Sequence, residues 1–193
     1  MVGEKAVPCV YFDEAGKHNT RRTLEITAER ARDRGIETIL VATTSGETGL
    51  MASRMFMGKN CVVVTHSTGF WKPDVQQVPD DVMRQIRENG ARILTCQHAF
   101  GGVGRAVRRK LGTYELEELI AFTLRTFGQG MKVAVEIALM AADAGLVKTG
   151  TPCVSIGGTG EGADTAVLLL PVNAQDFFDI RILEIWAKPE MCG

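Results

Sequence analysis

The feature that most constrains the fold of this chain is the alternation of short apolar segments with amphipathic helical patterns. Seven segments of five to eight residues are rich in β-branched and aliphatic side chains, which is typical of buried strands. Strands that alternate with helices require crossover connections, so we predict a largely parallel sheet with helices on both faces. The predicted strands cover residues 7–12, 37–43, 60–66, 91–97, 152–156, 165–172 and 179–186.

Helical patterns separate several of these strands. Residues 20–34, 80–89 and 131–144 each place apolar side chains three or four positions apart, and Asn19 or Thr20 can cap the first helix. A glycine follows each pattern, at the place where a left-handed conformation commonly ends a helix. These glycines are Gly35, Gly90 and Gly145.

Together the elements predict one α/β domain over residues 1–193, with three αβα layers in which the sheet lies between helices. Only residues 173–178 join the last two strands, which predicts an antiparallel hairpin at an edge of the mostly parallel sheet. Residues 98–130 hold three glycines within four positions, a basic cluster and a helical pattern near 115–127, and we interpret them as an insertion. We find no internal repeat and no linker.

Composition and charge argue against several classes of partner. A formal net charge of −1 gives no general affinity for polyanions, so we expect no nucleic acid. The first apolar stretch is too short and too acidic for a signal peptide, and no segment approaches the roughly 20 apolar residues of a membrane helix. We therefore expect a cytoplasmic protein without a membrane partner. The five cysteines are widely spaced, which indicates reduced, buried thiols: Cys9, Cys61, Cys96, Cys153 and Cys192.

The turn after the second predicted strand has the composition of an anion site. Hydroxyl side chains and two glycines precede a helical pattern there, so several donors and free backbone amides can face one phosphate. An ordinary capping turn uses the same residue types and remains the alternative. The predicted phosphate-binding residues are Thr43, Thr44, Ser45, Gly46 and Thr48.

A second glycine-rich segment follows the predicted strand that ends at Ile156. Four glycines in six residues allow backbone angles that other residues avoid. The segment leads into a strand and lacks a lysine, so it is neither a Rossmann fingerprint nor a Walker loop, and a flexible hairpin is the plainer interpretation. Its candidate ligand-binding residues are Gly157, Gly158, Thr159, Gly160, Glu161 and Gly162.

A third glycine cluster is not a dinucleotide site. Gly102 and Gly104 follow a predicted strand, but Val107 occupies the third glycine position of G-x-G-x-x-G, and no acidic residue ends a strand about 20 residues later. The basic residues of this segment can reach a phosphate, although a solvated helix face is their commoner role. They are Arg105, Arg108, Arg109 and Lys110.

The three histidines lie at or just beyond the carboxyl ends of predicted strands. His18, His66 and His98 can therefore converge on one pocket, but their spacing matches no metal motif, and we expect no metal. A nucleophilic pair of Cys96 and His98 is conceivable, yet a buried cysteine is the preferred interpretation, and no catalytic residue is predicted. Neighbouring polar residues complete the predicted ligand-binding set: Asn19, Thr20 and Ser67.

Two motifs resemble the C-terminal α/β domain of pyruvate kinase. The run IETILVATTSGETG, residues 36–49, resembles the segment of that domain in which a strand enters a T-x-S-G-x-[ST]-A loop. The run AGLVKTGTPCVSIGGTGEGADTAVLLLPV, residues 144–172, resembles the end of the same domain, with a helix, a strand, a glycine-rich loop and another strand. The resemblance covers residues 20–66 and 130–185 and implies a stand-alone domain with that fold.

The resemblance also implies a kind of ligand. In pyruvate kinase this domain carries an effector site and performs no phosphoryl transfer, so we expect binding of a phosphorylated small molecule without pyruvate kinase activity. It implies that residues 43–48 hold a phosphate and that residues 157–164 form a mobile lid over it. Glu47 stands where the family commonly has a basic residue, which favours a monophosphate over a bisphosphate.

Two ligand classes remain open, a sugar or metabolite monophosphate and flavin mononucleotide (FMN). Phe70, Trp71 and Phe100 lie just past strand ends and can flank a flat ring, although covering the edge of the core is their plainer role. The alternatives to a binding module are a flavin-dependent oxidoreductase and a structural subunit. We expect little turnover by the protein alone, and a homo-oligomer because the related domain forms subunit contacts.

Overall fold

The computed structural model of the chain describes residues 3–190, which contain seven strands and six α-helices. The strands are β1 (Val10–Phe12), β2 (Thr38–Thr43), β3 (Asn60–Thr65), β4 (Arg92–Leu94), β5 (Cys153–Gly157), β6 (Thr165–Leu170) and β7 (Arg181–Pro189). The helices are α1 (Thr20–Asp33), α2 (Glu47–Met55), α3 (Asp80–Glu88), α4 (Gly102–Leu111), α5 (Leu116–Arg125) and α6 (Gln129–Asp143). Two 3-10 helices cover Lys17–Asn19 and Ala174–Asp179.

All seven strands form one mixed sheet in the order β1-β7-β6-β5-β2-β3-β4. β6 pairs antiparallel with β5 and β7, whereas the other neighbouring pairs are parallel. The prediction of a mostly parallel sheet in which the last two strands are antiparallel is therefore confirmed. β1 adds to the outer side of β7 as a further parallel strand, so that β6 lies third from this edge.

The sheet separates two apolar cores. Ile39 of β2 belongs to the core beneath α1, α2 and α3, whereas the next residue, Leu40, belongs to the core beneath α5 and α6. Successive side chains of a strand point to opposite faces, so a strand covered on both faces is apolar at almost every position. This arrangement gives the three layers expected of the fold.

The helix ends follow the predicted pattern, but the predicted side-chain cap of α1 is wrong. Gly35, Gly90 and Gly145 follow α1, α3 and α6 with φ of +63°, +86° and +69°. Asn19 stands at the N-cap of α1, yet its side chain donates to the carbonyl of Glu14 at 2.7 Å. The preceding 3-10 turn gives Asn19 a φ of −83° and a ψ of −9°, whereas a side-chain cap needs an extended backbone.

Thr20 does not cap the helix either. Its hydroxyl donates to the carbonyl of Lys17 at 2.6 Å and accepts a hydrogen bond from the backbone of Ala163 at 3.0 Å. The side chain therefore joins the start of α1 to the glycine-rich segment after β5.

The cysteines differ in burial. Cys61 and Cys153 are buried, and burial raises the pKa of each thiol to about 12. Cys9 and Cys96 are only half-buried, so the prediction of burial is wrong for these two. Cys96 lies beyond the end of β4 at Leu94, where the sheet no longer covers it. Cys192 lies outside the described residues.

The segment that we interpret as an insertion, residues 98–130, contains α4 and α5. Its helices stack outward from α6, with α5 against α6 and α4 against α5. Of the helices between residues 3 and 190, none is both long enough and apolar enough to cross a membrane.

Candidate functional site

A cavity of about 250 Å³ opens at the carboxyl ends of β2, β3 and β5. We call it the main cavity. Its walls come from Thr43 and Thr44 at the end of β2, from His66 after β3, from the glycine-rich segment after β5, and from one face of α6. α4 and α5 contribute one arginine each. The carboxyl edge of a largely parallel sheet is the usual place for a ligand, because loops and helix N-termini meet there.

The first turn of α6 lies unusually close to the sheet, because glycines face one another there. A Cβ atom on Gly157 would lie 2.3 Å from the carbonyl oxygen of Gly130, and a Cβ atom on Gly130 would lie 2.2 Å from the hydroxyl of Thr165. Only glycine fits at these two positions. This close contact brings the polar side chains of the next α6 turn to the wall of the main cavity.

Two of the three histidines meet in the main cavity. The ring centroids of His66 and His98 lie 5.3 Å apart, and the ring of Phe70 stacks on them at 4.1 Å and 4.9 Å. His18 is exposed and lies elsewhere, beside a second cavity. The structure thus brings together the histidines after β3 and β4, but not the one before α1.

The hydrogen bonds of the two rings indicate their tautomers. Nε2 of His98 accepts the backbone N–H of Ser67 at 3.4 Å, which leaves the proton on Nδ1. Burial lowers the pKa of His98 to about 4, against an opposing effect of Glu136, so the ring is neutral at pH 7. Nδ1 of His66 donates to the amide oxygen of Gln77 at 2.7 Å, which places a proton on Nδ1.

A buried ion pair forms part of the cavity wall. Lys132 and Glu136 are only 6% and 3% exposed, and Nζ of Lys132 donates to Oε2 of Glu136. The other carboxylate oxygen accepts the backbone N–H of Phe100 at 3.0 Å, and Nδ1 of His98 lies 3.8 Å from Oε2. Burial lowers the pKa of Lys132 despite the nearby carboxylate. A buried cation with a fixed counter-ion is typical of functional sites.

Two arginines of the main cavity carry uncompensated charge. Arg105 on α4 stacks over the ring of Phe70 at 4.7 Å, and Nε of Arg125 on α5 donates to the amide oxygen of Gln129 at 2.6 Å. Within residues 3–190, neither arginine forms an ion pair with a carboxylate, whereas Lys132 does. With Lys132 and Glu136 neutralising each other, the cavity has a net positive charge.

The predicted phosphate loop is divided between two cavities. Thr43 and Thr44 line the main cavity, whereas Ser45 and Thr48 line a second cavity of about 160 Å³ next to Lys17. Thr44 borders both. The loop is continuous with the start of α2, where Gly46 adopts a φ of +96°.

The Thr43 hydroxyl also has a structural role in this loop. It accepts the backbone N–H groups of Gly46 at 3.1 Å and Gly49 at 3.3 Å, which caps α2 from the end of β2. Thr48 is buried, and Ser45 is exposed. The exposed hydroxyl of Ser45 is therefore the most accessible donor of the loop.

The glycine-rich segment borders both cavities and is anchored at its end. Gly158 and Gly160 line the main cavity, and Glu161 lines the second one. Asp164 is 0% exposed, and its carboxylate accepts the backbone N–H groups of Gly16 at 3.0 Å and Thr159 at 3.1 Å. The segment is the turn of the β5–β6 hairpin.

Lys17 connects this segment to the start of α2. Its Nζ lies 3.7 Å from a carboxylate oxygen of Glu161 and 3.8 Å from one of Glu47. All three side chains are exposed, so each contact contributes little to stability. The contacts nevertheless place a cation between the two predicted ligand-binding segments.

The predicted aromatic residues lie in three different environments. Phe70 lines the main cavity, whereas Phe100 is buried and packs edge-on against Phe177 with centroids 5.8 Å apart. Trp71 is 64% exposed. Of the three, Phe70 is the one placed to contact a cavity ligand.

Sequence reasoning missed most of the charged residues of the main cavity. Arg105 appeared only as part of a basic cluster, and Arg125, Lys132 and Glu136 were not singled out. The available signal was the pair of charged residues four positions apart in an otherwise apolar helix. Among residues 3–190, no group of three or more histidine, cysteine or acidic side chains has the geometry of a metal site.

Comparison with known proteins gives a family and several structural neighbours. The family model for the pyruvate kinase alpha/beta domain matches residues 21–169. A pyruvate kinase from Cryptosporidium parvum is 14% identical, with a TM-score of 0.42 over 79% of this chain and 23% of that chain. The same organism's pyruvate kinase in complex with ADP is 15% identical, with a TM-score of 0.39 over 78% of this chain and 23% of that one.

A different enzyme also matches at a similar level. The NH3-dependent NAD synthetase from Campylobacter jejuni is 10% identical, with a TM-score of 0.40 over 70% of this chain and 54% of that chain. The present chain spans 23% of the length of the two pyruvate kinase structures.

Proposed function

The chain belongs to the pyruvate kinase alpha/beta domain family, and we propose that it binds a small phosphorylated molecule in the main cavity. The ligand is a metabolite monophosphate or FMN, and it is bound without pyruvate kinase activity. The observation that carries the proposal is the pair of half-buried arginines, Arg105 and Arg125, which line the cavity without a carboxylate partner among residues 3–190.

The charges of the cavity favour a phosphate over other groups. A guanidinium can donate two parallel hydrogen bonds to phosphate oxygens, and this interaction is stronger where water is partly excluded. The Lys132–Glu136 pair is internally neutral, so two arginine charges face a dianionic phosphate. The hydroxyl of Thr44, which also lines the main cavity, adds an uncharged donor.

The volume of the main cavity limits the size of the organic part of the ligand. A volume of about 250 Å³ is slightly below the usual range for ligand pockets, roughly 300–1,000 Å³. A metabolite monophosphate suits a space of this size. FMN is larger, so its binding requires an outward movement of the glycine-rich segment, and Phe70 then offers a ring against which the flavin can stack.

Isothermal titration calorimetry with matched ligand pairs tests the proposal. Glycerol 3-phosphate is compared with glycerol, and FMN with riboflavin. We expect binding of a phosphorylated member and weak or no binding of its unphosphorylated partner. Retained yellow absorbance and binding of FMN identify a flavin, whereas binding of glycerol 3-phosphate alone identifies a metabolite. Equal affinity within each pair, or no binding of any ligand, contradicts the proposal.

Variants then locate the phosphate. Arg105→Met and Arg125→Met should each weaken binding by about tenfold to a hundredfold, because each removes hydrogen bonds to a charged group. Arg87→Met is the matched control, since Arg87 is exposed on α3 and lines none of the cavities described above. Unchanged affinity in both cavity variants means that the arginines do not hold the phosphate.

A further inference from the structure

We propose that Lys132 forms a covalent imine with the carbonyl carbon of a phosphorylated aldehyde or ketone in the main cavity. This inference rests on the proposed function, because the phosphate has to hold the carbonyl group beside the amine. It adds a covalent step, a reacting residue and a substrate class to that function.

The surroundings of Lys132 favour an amine that can react. A lysine attacks a carbonyl group only in its neutral form, which an exposed side chain rarely adopts at pH 7. Lys132 is 6% exposed, and burial lowers the pKa of its amine. The positive charges of Arg125 and Arg105 act in the same direction.

Glu136 provides the place for the proton. Its Oε2 accepts a hydrogen bond from Nζ of Lys132, and its Oε1 is held by the backbone N–H of Phe100. The neighbouring ring of His98 is neutral at pH 7, so it does not compete with the lysine for the negative charge. The carboxylate is therefore fixed in contact with the atom that has to lose a proton.

The atoms balance in a sequence of ordinary steps. Nζ of Lys132 transfers one proton to Glu136, and the neutral amine forms a bond to the carbonyl carbon. A proton passes from nitrogen to oxygen to give a carbinolamine. Glu136 returns its proton to the hydroxyl group, the carbon–oxygen bond breaks, and one water molecule leaves. The product is a protonated imine beside the restored carboxylate, and the reaction needs no oxidant or reductant.

The other cavity residues orient the carbonyl compound for this step. Arg105 and Arg125 enter the cavity from α4 and α5, and Lys132 enters it from α6. A phosphate held by the two guanidinium groups places the rest of a short ligand inside the cavity, next to α6. Holding the two reacting groups together in this way makes their reaction effectively unimolecular.

Reductive trapping on the intact protein tests the inference. Dihydroxyacetone phosphate is the probe, because a ketone reacts slowly with ordinary exposed lysines, and sodium cyanoborohydride reduces any imine to a stable secondary amine. We expect one adduct per chain by intact mass, located on Lys132 by peptide mapping. Burial lowers the pKa of Lys132 and the bound phosphate holds the ketone beside its amine, so the adduct should form faster there than at the exposed Lys148.

Three variants separate covalent chemistry from folding. Lys132→Arg retains a cation next to Glu136 but has no nucleophilic amine, so it should fold and form no adduct in the cavity. Lys148→Arg is the matched control and should retain the adduct. Glu136→Gln should slow adduct formation, because the proton acceptor is lost. An adduct spread evenly over the exposed lysines, or an unchanged adduct in Lys132→Arg, overturns the inference.

The calorimetric titration distinguishes failure of the imine proposal from failure of the binding proposal. If dihydroxyacetone phosphate binds reversibly and no adduct appears on Lys132, the imine is excluded and the binding function stands. If neither the probe nor the ligands of the titration bind, both proposals fail. Dihydroxyacetone without its phosphate should give little adduct, and equal trapping of both compounds contradicts the role assigned to the arginines.

Discussion

The ionisation of His98 should couple directly to stability. Burial lowers its pKa from 6.5 to about 4, so between these pH values the unfolded chain binds a proton that the folded chain does not. The full contribution of neutral, buried His98 to the free energy of unfolding is therefore present above pH 6.5 and is lost as the pH falls towards 4. The loss amounts to roughly 3 kcal/mol at most. Urea denaturation at several pH values measures it.

His98→Asn is the control for this effect. Asparagine retains a hydrogen-bonding group but does not titrate in this range, so the free energy of unfolding of the variant should fall less between pH 6.5 and pH 4. The same pH dependence in both proteins would show that other groups are responsible.

Ser45 tests whether the loop before α2 takes part in phosphate binding. Ser45→Asp places a negative charge at an exposed position of the loop, so folding should be preserved while phosphate affinity falls by about tenfold through like-charge repulsion. Ser45→Asn is the matched control, because it changes shape without adding charge. Calorimetry with the phosphorylated ligand measures the affinity of both variants, and equal affinities of Ser45→Asp and the wild type exclude Ser45 from the phosphate site.

Some residues of the cavity could be found from the sequence, and others could not. His66 and His98 were found because each follows an apolar strand, and strand ends meet at one edge. Lys132 and Glu136 were missed because charged residues on a helix usually face water, and sequence periodicity does not reveal a cavity. The role of Thr43 was ambiguous for a physical reason, since capping a helix and binding a phosphate use the same hydroxyl.

The backbone of the glycine-rich segment explains its composition. Gly162 has a φ of +81°, and a Cβ atom there would lie 2.4 Å from Cα of Lys17. Gly162→Ala should therefore be destabilising by more than the roughly 1–2 kcal/mol of left-handed strain alone. Gly35→Ala is the matched control, because Gly35 has a φ of +63° and open space around it. Chemical denaturation compares the two, and equal losses would mean that the contact with Lys17 relaxes freely.

Hydrogen exchange tests the predicted lid. Residues 160–161 should exchange fast without ligand and more slowly with it, because the glycines around them allow several backbone states. Asp164 anchors the end of the segment, so exchange near it should be slow in both conditions. The same exchange of residues 160–161 with and without bound ligand would indicate a simple turn.

The elements were easier to predict than their connections. Apolar runs identified all seven strands of the described region, and the glycines after α1, α3 and α6 identified three helix ends. The pairing of β1 with β7 could not be predicted, since it joins segments far apart in the chain and leaves no local pattern. The sequence predicts that residues 173–178 form the connection of a hairpin between the last two strands. In the structure this connection contains a 3-10 helix, Ala174–Asp179.

The assembled molecule leaves apolar side chains of α5 exposed, including Leu116, Leu119 and Phe122. Several hydrophobic residues on the surface are normal for a single chain. The homo-oligomer expected from the sequence stays a prediction. The phosphorylated ligand and FMN as a cofactor are also predictions. The family match covers the whole segment interpreted as an insertion, residues 98–130, since it extends from residue 21 to residue 169.

Ligand binding should stabilise the whole molecule rather than one loop. The main cavity is built from β2, β3, α4, α5, α6 and the segment after β5, so its ligand contacts segments from residue 42 to residue 162. A ligand at 100 times its Kd adds about 2.7 kcal/mol to the free energy of unfolding. For a domain of this size, each kcal/mol raises Tm by roughly 2–4 °C, so we expect an increase of about 5–10 °C.

Thermal unfolding measures this increase in Tm. The Tm with the phosphorylated ligand is compared with the Tm with the unphosphorylated partner of that ligand, at the same ionic strength. Arg125→Met should lose about half of the shift or more at the same ligand concentration, whereas Arg87→Met should retain it. A shift of the same size with sodium chloride alone would assign the effect to general screening of charge. A shift that persists in both Arg105→Met and Arg125→Met would place the ligand outside the main cavity.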